Sequence, residues 1–235
     1  MTIPKPHLAP ALTAAEPARE AATWHLPTML RAAGLCAAAI ALILLVGFAL
    51  SRHPFGFDVP ISDALRGAGP AWLRRAMTDV TALGGGTVLT IVALGAIAIL
   101  LARRLALTAA LVAAAVISGT IASNALKHVF MRPRPPLADR LIEVTGDSFP
   151  SGHAANSAIV YLTLAALVTQ VTPGRATRNT VVGLAILLVG AIGTSRVYLG
   201  VHWPSDVLAG WSFGTLWAIG WWQIARQTRP LLAAA

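Results

Sequence analysis

The sequence predicts an all-α membrane protein, a six-transmembrane-helix bundle with a polar site at its outer face. Three observations carry this. The 235 residues are 56% hydrophobic and only 11% charged, where a soluble domain has about a quarter charged residues. Six apolar stretches recur along the chain, most of them about the length at which a helix crosses the bilayer core. The polar residues best suited to chemistry sit at the ends of those stretches.

The stretches are 33–50, 84–101, 105–122, 154–171, 180–194 and 207–224. The fifth is short, and the expectation is that it continues through Ser195-Arg196-Val197-Tyr198, lifting Arg196 to the membrane surface. A re-entrant segment is the alternative. Residues 1–28 are rich in Ala and Pro without a period, which reads as a disordered cytoplasmic tail. The expected organisation is therefore that tail, a six-span domain over 29–228, and a C-terminal tail over 229–235. The outer loop 51–83 holds Asp58, Pro60, Asp63 and Pro70. Its second half, 71–83, is weakly amphipathic and suits either the membrane surface or a lead-in to the second span.

Net charge is +9. A nucleic-acid partner is not expected, because the chain has no basic helix and no aromatic-basic platform. The bilayer is the expected partner instead. Short basic connections, Arg103-Arg104, Arg175 with Arg178, and Arg226 with Arg229, mark the cytoplasmic side. That puts the other loops at the periplasm or exterior. The single cysteine, Cys36, has no partner in the chain for a disulfide.

Three polar clusters remain. The first is Lys127, six residues, then Arg134-Pro135; the second is Pro150-Ser151-Gly152-His153; the third is Ser195-Arg196, five residues, His202, three residues, Asp206. The first two share the loop between spans three and four, and the third lies between spans five and six. Two crossings separate these loops, so all three clusters face the same side.

The chemistry these residues offer is phosphoryl transfer. Lys127, Arg134 and Arg196 are three cations able to meet on one anion, Arg as a planar fork and Lys as a point charge. Ser151 and Gly152 precede a helix start, where a hydroxyl and free N–H groups suit an anion. His202 and Asp206 are four apart, a spacing that brings them together on a helical turn. A carboxylate on one imidazole nitrogen leaves the other free to attack, and His153 remains to protonate a leaving oxygen.

Each residue has a plainer reading: headgroup-level charges for Lys127, Arg132 and Arg134, and caps for Ser151, Ser195 and Asp206. Those readings must all hold at once to remove the site. A metal bound by His153, His202 and Asp206 is the competing sharp reading, and the three cations argue against it. Nothing in the sequence singles out Arg132, Arg140 or His128.

The three clusters resemble the signature of the type 2 phosphatidic acid phosphatases, also called lipid phosphate phosphatases, over 127–206 and in the six-helix plan. The resemblance implies that His202 is the nucleophile, Asp206 its partner and His153 the proton donor. Lys127, Arg134, Ser151, Gly152 and Arg196 would bind the phosphate. It implies no metal and no cofactor, and a site at the outer face of the cytoplasmic membrane. The expected substrate is a lipid phosphate or diphosphate, such as undecaprenyl diphosphate, phosphatidylglycerol phosphate or phosphatidic acid. Two rivals are a lipid phosphotransferase with an acceptor other than water and a non-enzymatic binder of anionic lipids.

Overall fold

The structure, a computed structural model, describes residues 54–172 and 174–233, with isolated helical positions at 31, 34, 35, 38, 41, 42 and 45. The tail 1–28 and Cys36 lie outside the described residues, as does most of the expected first span.

Among the described residues every regular element is helical. In chain order they are α1 (Asp58–Leu65), α2 (Ala71–Ala82), α3 (Gly86–Ala102), α4 (Ala106–Phe130), α5 (Gly152–Ser157), α6 (Thr163–Val171), α7 (Arg175–Tyr198) and α8 (Pro204–Ala233). One wide π turn, Ala158–Leu162, joins α5 to α6, so the fourth expected span is one rod with a bulge. Such bulges insert a residue without ending the helix. The fifth expected span runs through Tyr198 and places Arg196 in its last turn, the extension the sequence suggested. It also begins earlier, so Arg175 and Arg178 are helical rather than loop. The last helix continues past Ile224 to Ala233.

Segment 71–83 forms α2, which meets α3 at a bend of 49°. The chain turns there through Leu83 and the glycines that follow, and Tyr161 Oη donates to the Leu83 carbonyl at 2.8 Å.

By length and composition α4 and α7 can each cross a membrane, and α2 with α3 makes a third span if the bent pair counts as one. The six expected spans are thus met only in part among the described helices. Helix α3 has 17 residues, the fourth span is divided by its π turn, and α8 dilutes its apolar content with Trp and Gly.

Side-chain distribution is that of a protein in lipid. Ile91, Leu94, Ile117, Ile121, Leu184 and Leu187 point outward and are exposed, while the interior holds Ala109, Ala115, Ala154, Ala155, Ala158 and Ala185. Lipid gives helices no hydrophobic reason to associate, so small residues at the contacts and close backbone approach hold them together.

Candidate active site

The site lies where α4, α5, α7 and α8 end together. Helix α4 carries Lys127 in its last turn and stops at Met131, which takes a left-handed φ of 43°. Pro133 and Pro135 follow and cannot continue a helix. Helix α7 delivers Arg196 and then turns at Gly200, whose φ is 69°. A Cβ on Gly200 would lie 2.2 Å from the Asp139 carbonyl oxygen, so only glycine permits the contact that holds loop 137–141 against the turn.

Helix α8 is locked onto α5 by Gly210 and Gly214. A Cβ at Gly210 would meet the Ser151 carbonyl oxygen at 2.7 Å, and one at Gly214 would meet the Ala158 Cβ at 2.5 Å. This is small-residue packing at four-residue spacing. It brings the second cluster against the third, and the Ser151 N–H donates to the Asp206 carbonyl at 3.0 Å.

His202 precedes α8 rather than belonging to it. Pro204 is the first helical residue, a position that suits proline. Asp206, in the first turn, accepts the Trp203 N–H at 2.9 Å, which is half of a capping box. The capping bond and the four-residue approach to His202 share the same carboxylate oxygen. Asp206 Oδ2 lies 3.4 Å from His202 Nδ1 and accepts the Ser148 hydroxyl at 2.5 Å.

The other imidazole nitrogen, Nε2, lies 3.0 Å from Arg134 Nη1. A guanidinium only donates, so Nε2 accepts and the proton belongs on Nδ1, facing Asp206. Burial, opposed by Asp206 and assisted by Arg134 and Arg196, pushes the His202 imidazole down from 6.5 to about 3. His202 is therefore neutral at physiological pH.

Arg134 is held by carbonyls. It donates to Gly146, Thr145, Asp147 and Val201 at 2.8 to 3.2 Å. Lys127 Nζ donates to the same Asp147 carbonyl at 3.0 Å, and Gly152 leaves room for the lysine, whose Cε would sit 3.4 Å from a Cβ there. Arg196 is buried and donates through Nη1 to Thr81 Oγ1 at 2.9 Å. The Ser151 hydroxyl is buried with no partner among the described residues, and an unpaired buried hydroxyl at a cation cluster is disposed to bind an anion. His153, ahead of the apolar run that starts at Ala154, packs beside Gly84. Burial and then Arg196, Lys127 and Arg134 push its imidazole down to about 3. Every expected site residue thus stands at one end of the bundle. Ser195 does not join them: its hydroxyl bonds the Ile192 carbonyl within α7 at 2.6 Å.

Sequence reasoning missed a buried network behind Asp206. Arg132, a headgroup-level charge on the plainer reading of the sequence, is 1% exposed and bridges Asp206 Oδ1 at 2.5 Å and Asp58 Oδ2 at 2.9 Å. Ser205 and Ser148 complete the network. Nothing in the sequence pairs Asp58 with Arg132 across 74 positions.

The model of the PAP2 superfamily matches residues 106–230. The chain belongs to the PAP2 superfamily. Among curated proteins, this PAP2 chain is 34% identical over 162 residues to phosphatidylglycerophosphatase B of Bacillus subtilis (strain 168), covering 68% of the chain and 78% of that relative. A shorter match, 38% over 71 residues and 30% of each protein, is to undecaprenyl-diphosphatase of Sulfolobus acidocaldarius. The crystal structure of a transmembrane PAP2 type phosphatidylglycerolphosphate phosphatase from Bacillus subtilis has a TM-score of 0.71 at 28% identity, covering 83% of this chain and 96% of that one. LpxE of Aquifex aeolicus shares the fold, with a TM-score of 0.58 at 24% identity over 72% of this chain and 96% of its own. The resemblance carried by 127–206 is thus membership, and the match extends on both sides of the motifs.

Proposed function

We propose that this PAP2 protein hydrolyses the phosphate of a membrane lipid through a phosphohistidine on His202. It is a membrane lipid phosphatase, and its relatives named above are phosphatases of phosphatidylglycerol phosphate and undecaprenyl diphosphate. The observation that carries the mechanism is the orientation of one imidazole. Nδ1 of His202 faces Asp206 at 3.4 Å while Nε2 faces Arg134 at 3.0 Å.

Lys127, Arg134, Arg196, the Ser151 hydroxyl and the Gly152 end of α5 bind the phosphate oxygens. Their charge opposes the negative charge that spreads over those oxygens as the phosphoryl group loosens. The Nε2 lone pair of His202 forms the P–N bond as the P–O bond to the lipid breaks. His153 gives its proton to the departing oxygen. Burial and then the cations hold His153 neutral; a bound phosphate dianion offsets the cations, so substrate itself favours the protonated acid. Water then attacks phosphorus, its proton passes to His153, the P–N bond breaks, and inorganic phosphate leaves with His202 restored.

The same reading puts the site at the outer face of the cytoplasmic membrane, within a six-span bundle. Support comes from the short basic connections Arg103-Arg104 and Arg175 with Arg178, at the opposite ends of α4 and α7 from Lys127 and Arg196. The lipid enters sideways, its tail staying in the bilayer. Phosphatidylglycerol phosphate, undecaprenyl diphosphate and phosphatidic acid are the substrates to try.

The test is phosphate release from each of these three by purified protein in detergent, with chelator present. Wild type is expected to turn over at least one of them, and His202→Ala none. Near-normal turnover by His202→Ala removes the assignment, and transfer to an added alcohol without phosphate release makes the protein a transferase.

A further inference from the structure

Resting on the phosphohistidine reading, we infer that Asp58 and Arg132 are positioning residues for phosphoryl transfer: Asp58 fixes the Arg132 guanidinium, and Arg132 fixes the Asp206 carboxylate that faces His202.

Both terminal nitrogens of the Arg132 guanidinium are engaged, and so are both oxygens of Asp58. Arg132 Nη1 donates to Asp206 Oδ1 at 2.5 Å and to Ser205 Oγ at 2.8 Å; Nη2 donates to Asp58 Oδ2 at 2.9 Å. Asp58 also accepts the Ser205 N–H on Oδ1 at 2.8 Å, and the Ser205 hydroxyl and Phe55 N–H on Oδ2 at 2.7 and 2.9 Å. The guanidinium carbon lies 5.9 Å from the Phe55 ring centre and 6.0 Å from that of Phe149. All three charged side chains are essentially fully buried.

A buried ion pair is a poor source of stability, because desolvation consumes most of what Coulomb attraction returns. What it does supply is geometry. With Oδ1 of Asp206 committed to Arg132, the carboxylate cannot rotate, and Oδ2 stays between Ser148, the Trp203 N–H and His202 Nδ1. Asp58 in turn prevents Arg132 from swinging toward the phosphate cradle. The arrangement ties α1, from the first outer segment, to the residue that orients the attacking imidazole.

Asp58→Asn keeps volume but replaces one acceptor oxygen with an N–H2 group facing donors. The full chain in detergent is assayed with short-chain phosphatidic acid, alone and in a cycle with Asp206→Asn. The expected result is a fall in kcat of about 10- to 100-fold, KM within a few-fold of wild type, and slower phosphoenzyme formation. In the Asp206→Asn background the same substitution is expected to cost little more, since its route to His202 is already cut. Unchanged kcat, or an equal loss in both backgrounds, overturns the inference. Should Asp58→Asn fail to fold, Ser205→Ala decides: it removes one hydroxyl from the network, and a thermal midpoint near wild type with undiminished kcat overturns the inference equally. The phosphohistidine reading fails separately, through His202→Ala.

Discussion

Arg134 Nη1 lies 3.0 Å from His202 Nε2, so the nitrogen assigned to attack phosphorus already faces a cation of the phosphate cradle. The same guanidinium is fixed by four backbone carbonyls. Its position is therefore set by the chain rather than by the substrate, which is the preorganisation that electrostatic catalysis needs.

Replacing Arg134 tests that directly. Arg134→Lys keeps a charge but loses the fork and most of the carbonyl bonds. The expected fall in kcat/KM is about 100- to 1000-fold, with competitive inhibition by inorganic phosphate weakened in parallel. Steady-state assays in detergent read both.

Acid should destabilise the protein through His202. The folded imidazole sits near 3 and the ordinary value is 6.5, so below about pH 6.5 the unfolded chain takes up a proton that the folded chain refuses. Stability present above pH 6.5 is lost as the pH falls toward about 3. His153 acts with the same sign. The thermal midpoint is expected to drop between about pH 7 and about pH 4.5, and His202→Gln should flatten that slope.

The α5–α8 contact should tolerate no added methyl groups. Gly214→Val would drive carbon into the Ala158 Cβ and the Ala155 carbonyl, costing about 1 to 3 kcal/mol and separating Ser151 from Asp206. Gly190→Ala is the control, because among the described residues nothing lies within 4 Å of a Cβ there. Thermal unfolding and phosphatase activity should fall together in the first variant and stay unchanged in the second.

Thr81 reaches the site from α2. Thr81→Val removes the hydroxyl that holds Arg196 Nη1, a loss of about 1 kcal/mol, and is expected to raise KM several-fold with a smaller effect on kcat.

Much of the site was legible because its residues are fixed by local spacing next to apolar runs. Arg196 at a helix end, Ser151 before a helix start and the shared side of the three clusters all follow from counting residues between spans. What was illegible depends on tertiary contact. Asp58 and Arg132 recognise each other only after α1 docks on α8, and Gly210 with Gly214 looks like any small residue until α5 lies against it. Asp206 approaches His202 at the expected four-residue spacing, and the capping bond from the Trp203 N–H to the same carboxylate oxygen is the part that spacing does not predict. Among the described residues two helices and one bent pair are long and apolar enough to cross a membrane, so the six expected spans are met in part; hydropathy alone does not register the bend at residues 83–86 or the π turn.

The most direct measurement is chemical trapping of the enzyme. Purified protein mixed with a lipid carrying radiolabelled phosphate, quenched in alkali and digested, is expected to give label in the peptide that contains His202, with the acid lability of a phosphoramidate. His202→Ala should give none. Label on another residue, or full turnover without label at His202, contradicts the account.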